Sequence, residues 1–186
     1  MHITLNTGLP SAFKSGLYAG LMLIAAPALA QMAPMSSDMP MPATTKAPAY
    51  VAAAGAGDLY EKTSSQIVLK DAKNAKVRMF AQMMVSDHAK TTMEVTAAAK
   101  ASGMKPMPLQ LNSKQTQMIA DLEAAPASAR EKLYLDQQVM AHAEALALHQ
   151  GYAANGDTPA LMKVAAGAVP IVQHHLDMVR ALDTAM

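Results

Sequence analysis

Apolar residues recur in this chain at alternating intervals of three and four, over stretches too long for strands. Leu161, Val164, Ala168, Ile171, His175, Met178 and Leu182 form one such series. Val77, Phe80/Ala81, Met84, His88, Thr91, Val95 and Ala98 form a second, and Leu135, Val139, His142, Leu146 and His149 a third. This spacing is the core-facing seam of an amphipathic helix, so it restricts the chain to packed helices. Within those seams His88, His142 and His175 stand where leucine would be expected. A buried imidazole needs a hydrogen-bond partner, a charge partner or a metal.

Composition supports helices and narrows the chemistry. The 186 residues include two Phe, five Tyr, no Trp and 17 Met, and they are rich in Ala. Such a chain favours closely packed helices filled by Leu, Val, Ile and Met. The net charge of +1 and the lack of a basic cluster interleaved with aromatics argue against a nucleic-acid partner. With no Cys there are no disulfides, thiolate metal sites or Cys nucleophiles.

Residues 1–30 read as a cleaved signal peptide. Lys14 supplies the basic region, Gly16–Pro27 an apolar segment too short to span a bilayer, and Ala28-Leu29-Ala30 a cleavage site before Gln31. The expected product is exported, periplasmic or extracellular, and has no stable membrane span. Residues 31–47 (QMAPMSSDMPMPATTKA) read as a disordered Met/Pro-rich linker. Residues 48–186 then form the folded domain.

The domain divides into helices over about Pro48–Ala72, Asn74–Ser102, Ser113–Glu123, Pro126–Ala154 and Thr158–Thr184. Asn74, Ser113 and Thr158 are the expected caps, Gly103 the expected terminator of the second helix, and Pro170 a kink in the last. The fold class is all-α: a ferritin-like four-helix bundle with a short connecting helix between the second and third long helices. The long segment Gly103–Ala125 allows a crossover that makes those two helices parallel; a plain up-down bundle also fits the spacing. Counting along the helices in the crossover arrangement leaves Glu61, His88, His142 and His175 within roughly 9 Å in height.

Three imidazoles and one carboxylate would suit a single Cu, Zn or Fe ion, with Glu61, His88, His142 and His175 as metal ligands. The alternative is a core network in which the histidines bond to Glu61 and to Tyr or Thr hydroxyls and fix the register. His149 is expected as a rim group of the site. His174 and Asp87 are expected at the surface. A di-iron centre is not expected, because it needs Glu-x-x-His, and Glu61, Glu94, Glu131 and Glu144 are followed at that spacing by Ser64, Ala97, Tyr134 and Ala147. Met32, Met35, Met39 and Met41 in the linker, and Met84 and Met178 one turn from His88 and His175, leave thioether ligation of copper open. The competing reading is ordinary core filling and linker drift.

FAQMMVSDH (Phe80–His88), YLDQQVMAH (Tyr134–His142) and VPIVQHH (Val169–His175) resemble the motifs of the secreted bacterial family named domain of unknown function 4142. The likeness spans about residues 49–183. It implies a ferritin-like helical fold, export and a metal as the candidate ligand, with Glu61, Asp87, His88, His142 and His175 at the family's polar positions. Where the family has an aromatic-acid pair before the tyrosine, this chain has Arg130-Glu131. No catalytic pair of nucleophile and base stands out. The expected function is therefore metal binding in metal handling or envelope stress, and the alternative is a non-metal interaction protein of the envelope.

Overall fold

A computed structural model describes residues 44–185, which form five α-helices and, among the described residues, no strand. The signal peptide and nearly all of the linker, including its four methionines, lie outside the described residues. The helices are α1 (Ala47–Val68), α2 (Ala75–Ala101), α3 (Ser113–Ala124), α4 (Ala127–Asn155) and α5 (Pro159–Thr184). None of them is long and apolar enough to cross a membrane.

The helix ends follow local chemistry, with some departures from expectation. Asn74 caps α2, its side chain accepting from Lys76 N and Val77 N. The cap of α3 is Asn112 rather than Ser113, because Asn112 and Gln115 make a reciprocal capping box. Thr158 occupies the cap position of α5 but makes no cap bond; its hydroxyl donates to Asp157 instead. Gly103 has φ 79° and ends α2 as expected. The first helix stops at Val68, four residues earlier than expected. Backbone amides of Lys73 and Asn74 donate to the Glu131 carboxylate, which draws the chain into the α1–α2 turn. Arg130 beside it bonds the carbonyls of Leu122 and Ala125 and the Asp71 carboxylate. The Arg130-Glu131 pair thus clamps the start of α4 to that turn.

Helix direction follows from the side-chain pairs. Tyr50 near the start of α1 meets His149 and Tyr152 near the end of α4, and Ser65 near the end of α1 meets Tyr134 near the start of α4. So α1 and α4 are antiparallel. The short links make α1–α2 and α4–α5 antiparallel too, which leaves α2 and α4 parallel. The return path is the loop after α2 together with α3. Leu109 of that loop lies so close to α1 that a Cβ on Gly55 would come within 2.6 Å of it.

The buried face of α5 runs through Leu161, Ala165, Ala168, Val172, His175, Leu176 and Val179. Ile171, expected in the seam, is exposed. The strict three-four series drifts off the buried stripe because an α-helix repeats at 3.6, not 3.5. Pro170 lies on the exposed side, and α5 continues through it.

The apolar core is in two clusters. One holds Ile67, Val68, Phe80, Met84, Leu122, Tyr134, Leu135, Leu176 and Val179. The other holds Ala47, Tyr50, Ala54, Val95, Ala99, Tyr152, Leu161 and Ala165. On every long helix, polar positions separate one cluster from the other: Asp58, Glu61, Ser64 and Ser65 on α1, His88 on α2, Gln137, Gln138 and His142 on α4, His175 on α5. The bundle therefore carries a polar layer across its middle.

Candidate metal centre

His88, His142 and His175 converge in that layer. Each offers one nitrogen to a common point, and the three nitrogens lie within 4.8 Å of one another. The ring centroids form a nearly equilateral triangle with sides of 5.6, 5.7 and 5.5 Å. None of the three residues is more than 5% exposed.

The outward nitrogens are all engaged. His88 Nδ1 lies 2.9 Å from Asp58 Oδ1, His142 Nδ1 lies 2.9 Å from the Gln138 carbonyl, and His175 Nε2 lies 3.1 Å from Asp87 Oδ2. Each of these partners is an acceptor, so each ring donates N–H outward and turns a lone pair inward. The inward atoms, His88 Nε2, His142 Nε2 and His175 Nδ1, are buried with no partner, and so is Glu61 Oε2. Acceptors behind imidazoles are the usual way of fixing the tautomer and orientation of a metal ligand.

Electrostatics follow from burial and these partners. Burial, reinforced by the charge on His88, pushes His142 down to about 3 and His175 down to about 4. Both rings are neutral at pH 7 and able to ligate. Burial also opposes charging of His88, but the hydrogen bond it donates to Asp58 and the negative charges of Glu61 and Asp58 together hold it above its ordinary value. Burial raises Glu61 to about 7, against the opposing pull of His88 and Gln138.

Glu61 projects into the same layer from α1. Its Oε1 is 3.6 Å from His142 Nδ1, beyond hydrogen-bond range, and that nitrogen already serves Gln138. The structure thus brings the three expected histidines to one point and sets the expected carboxylate beside them, facing the outer side of His142.

Two carboxylates were not legible as site residues from the seams, although the family resemblance placed Asp87 among its polar positions. Asp58 is one turn before Glu61 on the same face of α1, and that shared face was the available signal. Its second oxygen accepts from the Thr92 hydroxyl. Asp87 sits on the flank of α2, as expected for a surface residue, yet its side chain reaches round to α5, which helical angle alone does not reveal. His149 is not at the rim of the centre. It bonds the Tyr50 hydroxyl at 3.1 Å, beside the stacked Tyr50–Tyr152 pair. His174 is exposed, as expected. The tyrosine hydroxyls go elsewhere than to the three histidines, with Tyr60 on Gln137 and Tyr134 on Ser65.

The chain belongs to the family described as a domain of unknown function, DUF4142, which matches residues 31–182. Among solved structures it is similar to the crystal structure of a DUF305 fragment from Deinococcus radiodurans. The TM-score is 0.66 at 15% identity, covering 78% of this chain and 100% of that chain. At that identity the likeness is one of fold alone. No curated protein matches the chain.

Proposed function

We propose that this is an exported, ferritin-like bundle that holds one transition-metal ion and serves in metal handling or envelope stress. The ligands are His88 Nε2, His142 Nε2 and His175 Nδ1, and Glu61, which lies on the outer side of His142, would turn inward to supply the carboxylate of the set. The parallel placement of α2 and α4, joined by a long crossover, supports the ferritin-like reading. Lack of a Glu-x-x-His pair and convergence on one point favour a single ion over a di-iron centre.

One observation carries the proposal: three buried nitrogens without partners meet at one point, each held there by an acceptor behind its ring. A buried polar atom left unpaired costs about 1–3 kcal/mol. A core hydrogen-bond network would remove that cost by pairing the inner atoms with one another or with hydroxyls, and here they are unpaired. Three imidazoles and a carboxylate suit Zn(II), Cu(II) or Fe(II). When bound, such an ion supplies a buried positive charge that the Glu61 carboxylate balances. The enclosure of the rings favours holding a metal over catalysis, which needs an open coordination position.

The test is metal stoichiometry on protein refolded in chelator and then offered Zn(II), Cu(II), Cu(I) or Fe(II) separately. One equivalent bound by the wild type, and none by the His88→Ala/His142→Ala double variant, is expected. Equal binding by both would leave the core-network reading in its place. Deleting residues 31–43 tests the linker methionines, whose involvement would lower copper stoichiometry. N-terminal sequencing of exported protein should begin at Gln31.

A further inference from the structure

A buried metal centre needs a path from water, and the three anchoring acceptors differ in whether they offer one. The Gln138 carbonyl belongs to a residue with no exposed surface. The Asp58 side chain is 5% exposed, and both its oxygens are taken, one by His88 and one by Thr92. A small cleft between α1 and α2, beneath Met104–Leu109, does reach Asp58. Thr92 lines it as well, and there the Asp58 oxygens are already engaged. Asp87 is different. Its side chain is 39% exposed, while the His175 ring it holds is 2% exposed.

His175 is thus a two-sided ring. Nδ1 faces the other two imidazoles, and Nε2 faces a carboxylate in contact with water. A carboxylate offers about four lone-pair positions, so Asp87 can receive a hydrated cation while still accepting from His175. We infer that the α2/α5 seam at Asp87 and His175 is the port of the centre, where Asp87 captures a divalent cation from solvent and releases it inward past the edge of the His175 ring to Nδ1. This rests on the metal-binding reading above. It gives Asp87, besides its hold on the His175 ring, control of the rate of loading. No bond forms or breaks apart from the exchange of metal ligands, and water is released as the ion moves inward.

Asp58 provides the internal control. It does for His88 what Asp87 does for His175, but away from solvent. A buried anchor fixes ligand geometry and basicity, and its loss weakens the site by faster release. A port governs passage from solvent, so its loss slows loading, and because Asp87 also holds the His175 ring its loss lowers affinity as well. Lys90 gives a second handle. It is 68% exposed and stands three residues beyond Asp87, on the neighbouring position of the α2 surface. A negative charge there should draw cations toward the port without touching the core.

The experiment is stopped-flow loading of the purified metal-free chain with Co(II), followed by its visible absorption, and release into excess chelator. Asp87→Asn should slow loading by about tenfold, and Asp87→Glu should restore most of that rate, whereas loss of an anchor alone would leave loading unchanged. Asp58→Asn should speed release and leave loading at the wild-type rate. Lys90→Glu should speed loading by about twofold at low salt, with the gain lost at high salt. Loading of Asp87→Asn at the wild-type rate, or faster release with normal loading, would overturn the port. Should Asp87→Asn fail to fold, an unchanged loading rate in Lys90→Glu at low salt would overturn it equally. Failure of the wild type to develop Co(II) absorption would instead reject the metal site.

Discussion

His142 and His149 lie two turns apart on one face of α4, and both are buried, yet they do different things. At the His149 level, α1 contributes Tyr50, whose hydroxyl meets the imidazole at 3.1 Å, and Tyr50 in turn stacks on Tyr152 with ring centroids 3.9 Å apart. At the His142 level, α2 and α5 contribute two more imidazoles, and the inner nitrogen has no hydrogen-bond partner. A histidine on a core seam therefore has no fixed meaning. What the neighbouring helices bring to its height decides whether it is a packing residue or a donor in a site.

The sharpest way to break this contrast is to remove each ring. His142→Ala should weaken metal binding by more than about 100-fold, beyond the loss typical of an outer-shell change. His149→Ala should leave affinity within about threefold, as read by calorimetric titration. Equal losses would mean that the two levels are one site.

Stability separates them in the opposite sense. His149→Ala should cost the metal-free protein about 1–3 kcal/mol, because it leaves the buried Tyr50 hydroxyl unpaired and opens a cavity. Metal at 100 times its dissociation constant should add about 2.7 kcal/mol to wild type and His149→Ala alike, and nothing to His142→Ala. Denaturant titration with and without metal measures both effects.

Acid should act on both levels of the metal-free protein. His142, His149 and His175 are held well below their ordinary 6.5, so the unfolded chain binds more protons as pH falls through 6.5, and stability declines toward acid. Glu61, raised from 4.5 to about 7, has the opposite sign: its contribution is fully present below pH 4.5 and is lost as pH rises toward 7. The two trends oppose each other between pH 4.5 and 6.5. Three imidazoles outweigh one carboxyl, so the melting temperature should fall from about pH 6.5 to about 4, and the decline should slacken below that as the folded rings themselves take up protons. Replacing His142 with Gln should flatten the decline.

The smallest expected effect is that of Tyr50→Phe. It removes one hydroxyl from His149 and should cost about 1 kcal/mol, with metal affinity unchanged.

Most of the helical plan was legible because capping and seam spacing are local. Asn74, Gly103 and the Pro159 start of α5 act on their own turns, and the structure has them in those roles. The misplaced ends and seam have different causes, one distant and two local. Val68 ends α1 early because Glu131 clamps the following turn, and Asn112 outcompetes Ser113 because Gln115 completes its box. The seam of α5 drifted by one position, putting Ile171 outside, since helix geometry overrides a strict seven-residue repeat. In the site, the three histidines were legible as polar residues on apolar seams. Asp87 was not, because a flank residue gains a role only when another helix stands beside it.

The amino-acid order by itself determined that this chain forms helices, that each long helix carries a polar break in its seam, and that His88, His142 and His175 occupy those breaks. These properties depend on neighbours within one or two turns. Tertiary structure decided the rest: the parallel course of α2 and α4, the meeting of three inward nitrogens, and the assignment of Asp58, Gln138 and Asp87 behind them. Convergence to within 4.8 Å depends on the rotation and stagger of three helices at once. Those are fixed by the packing of two apolar clusters on either side of the polar layer, and no local spacing encodes them.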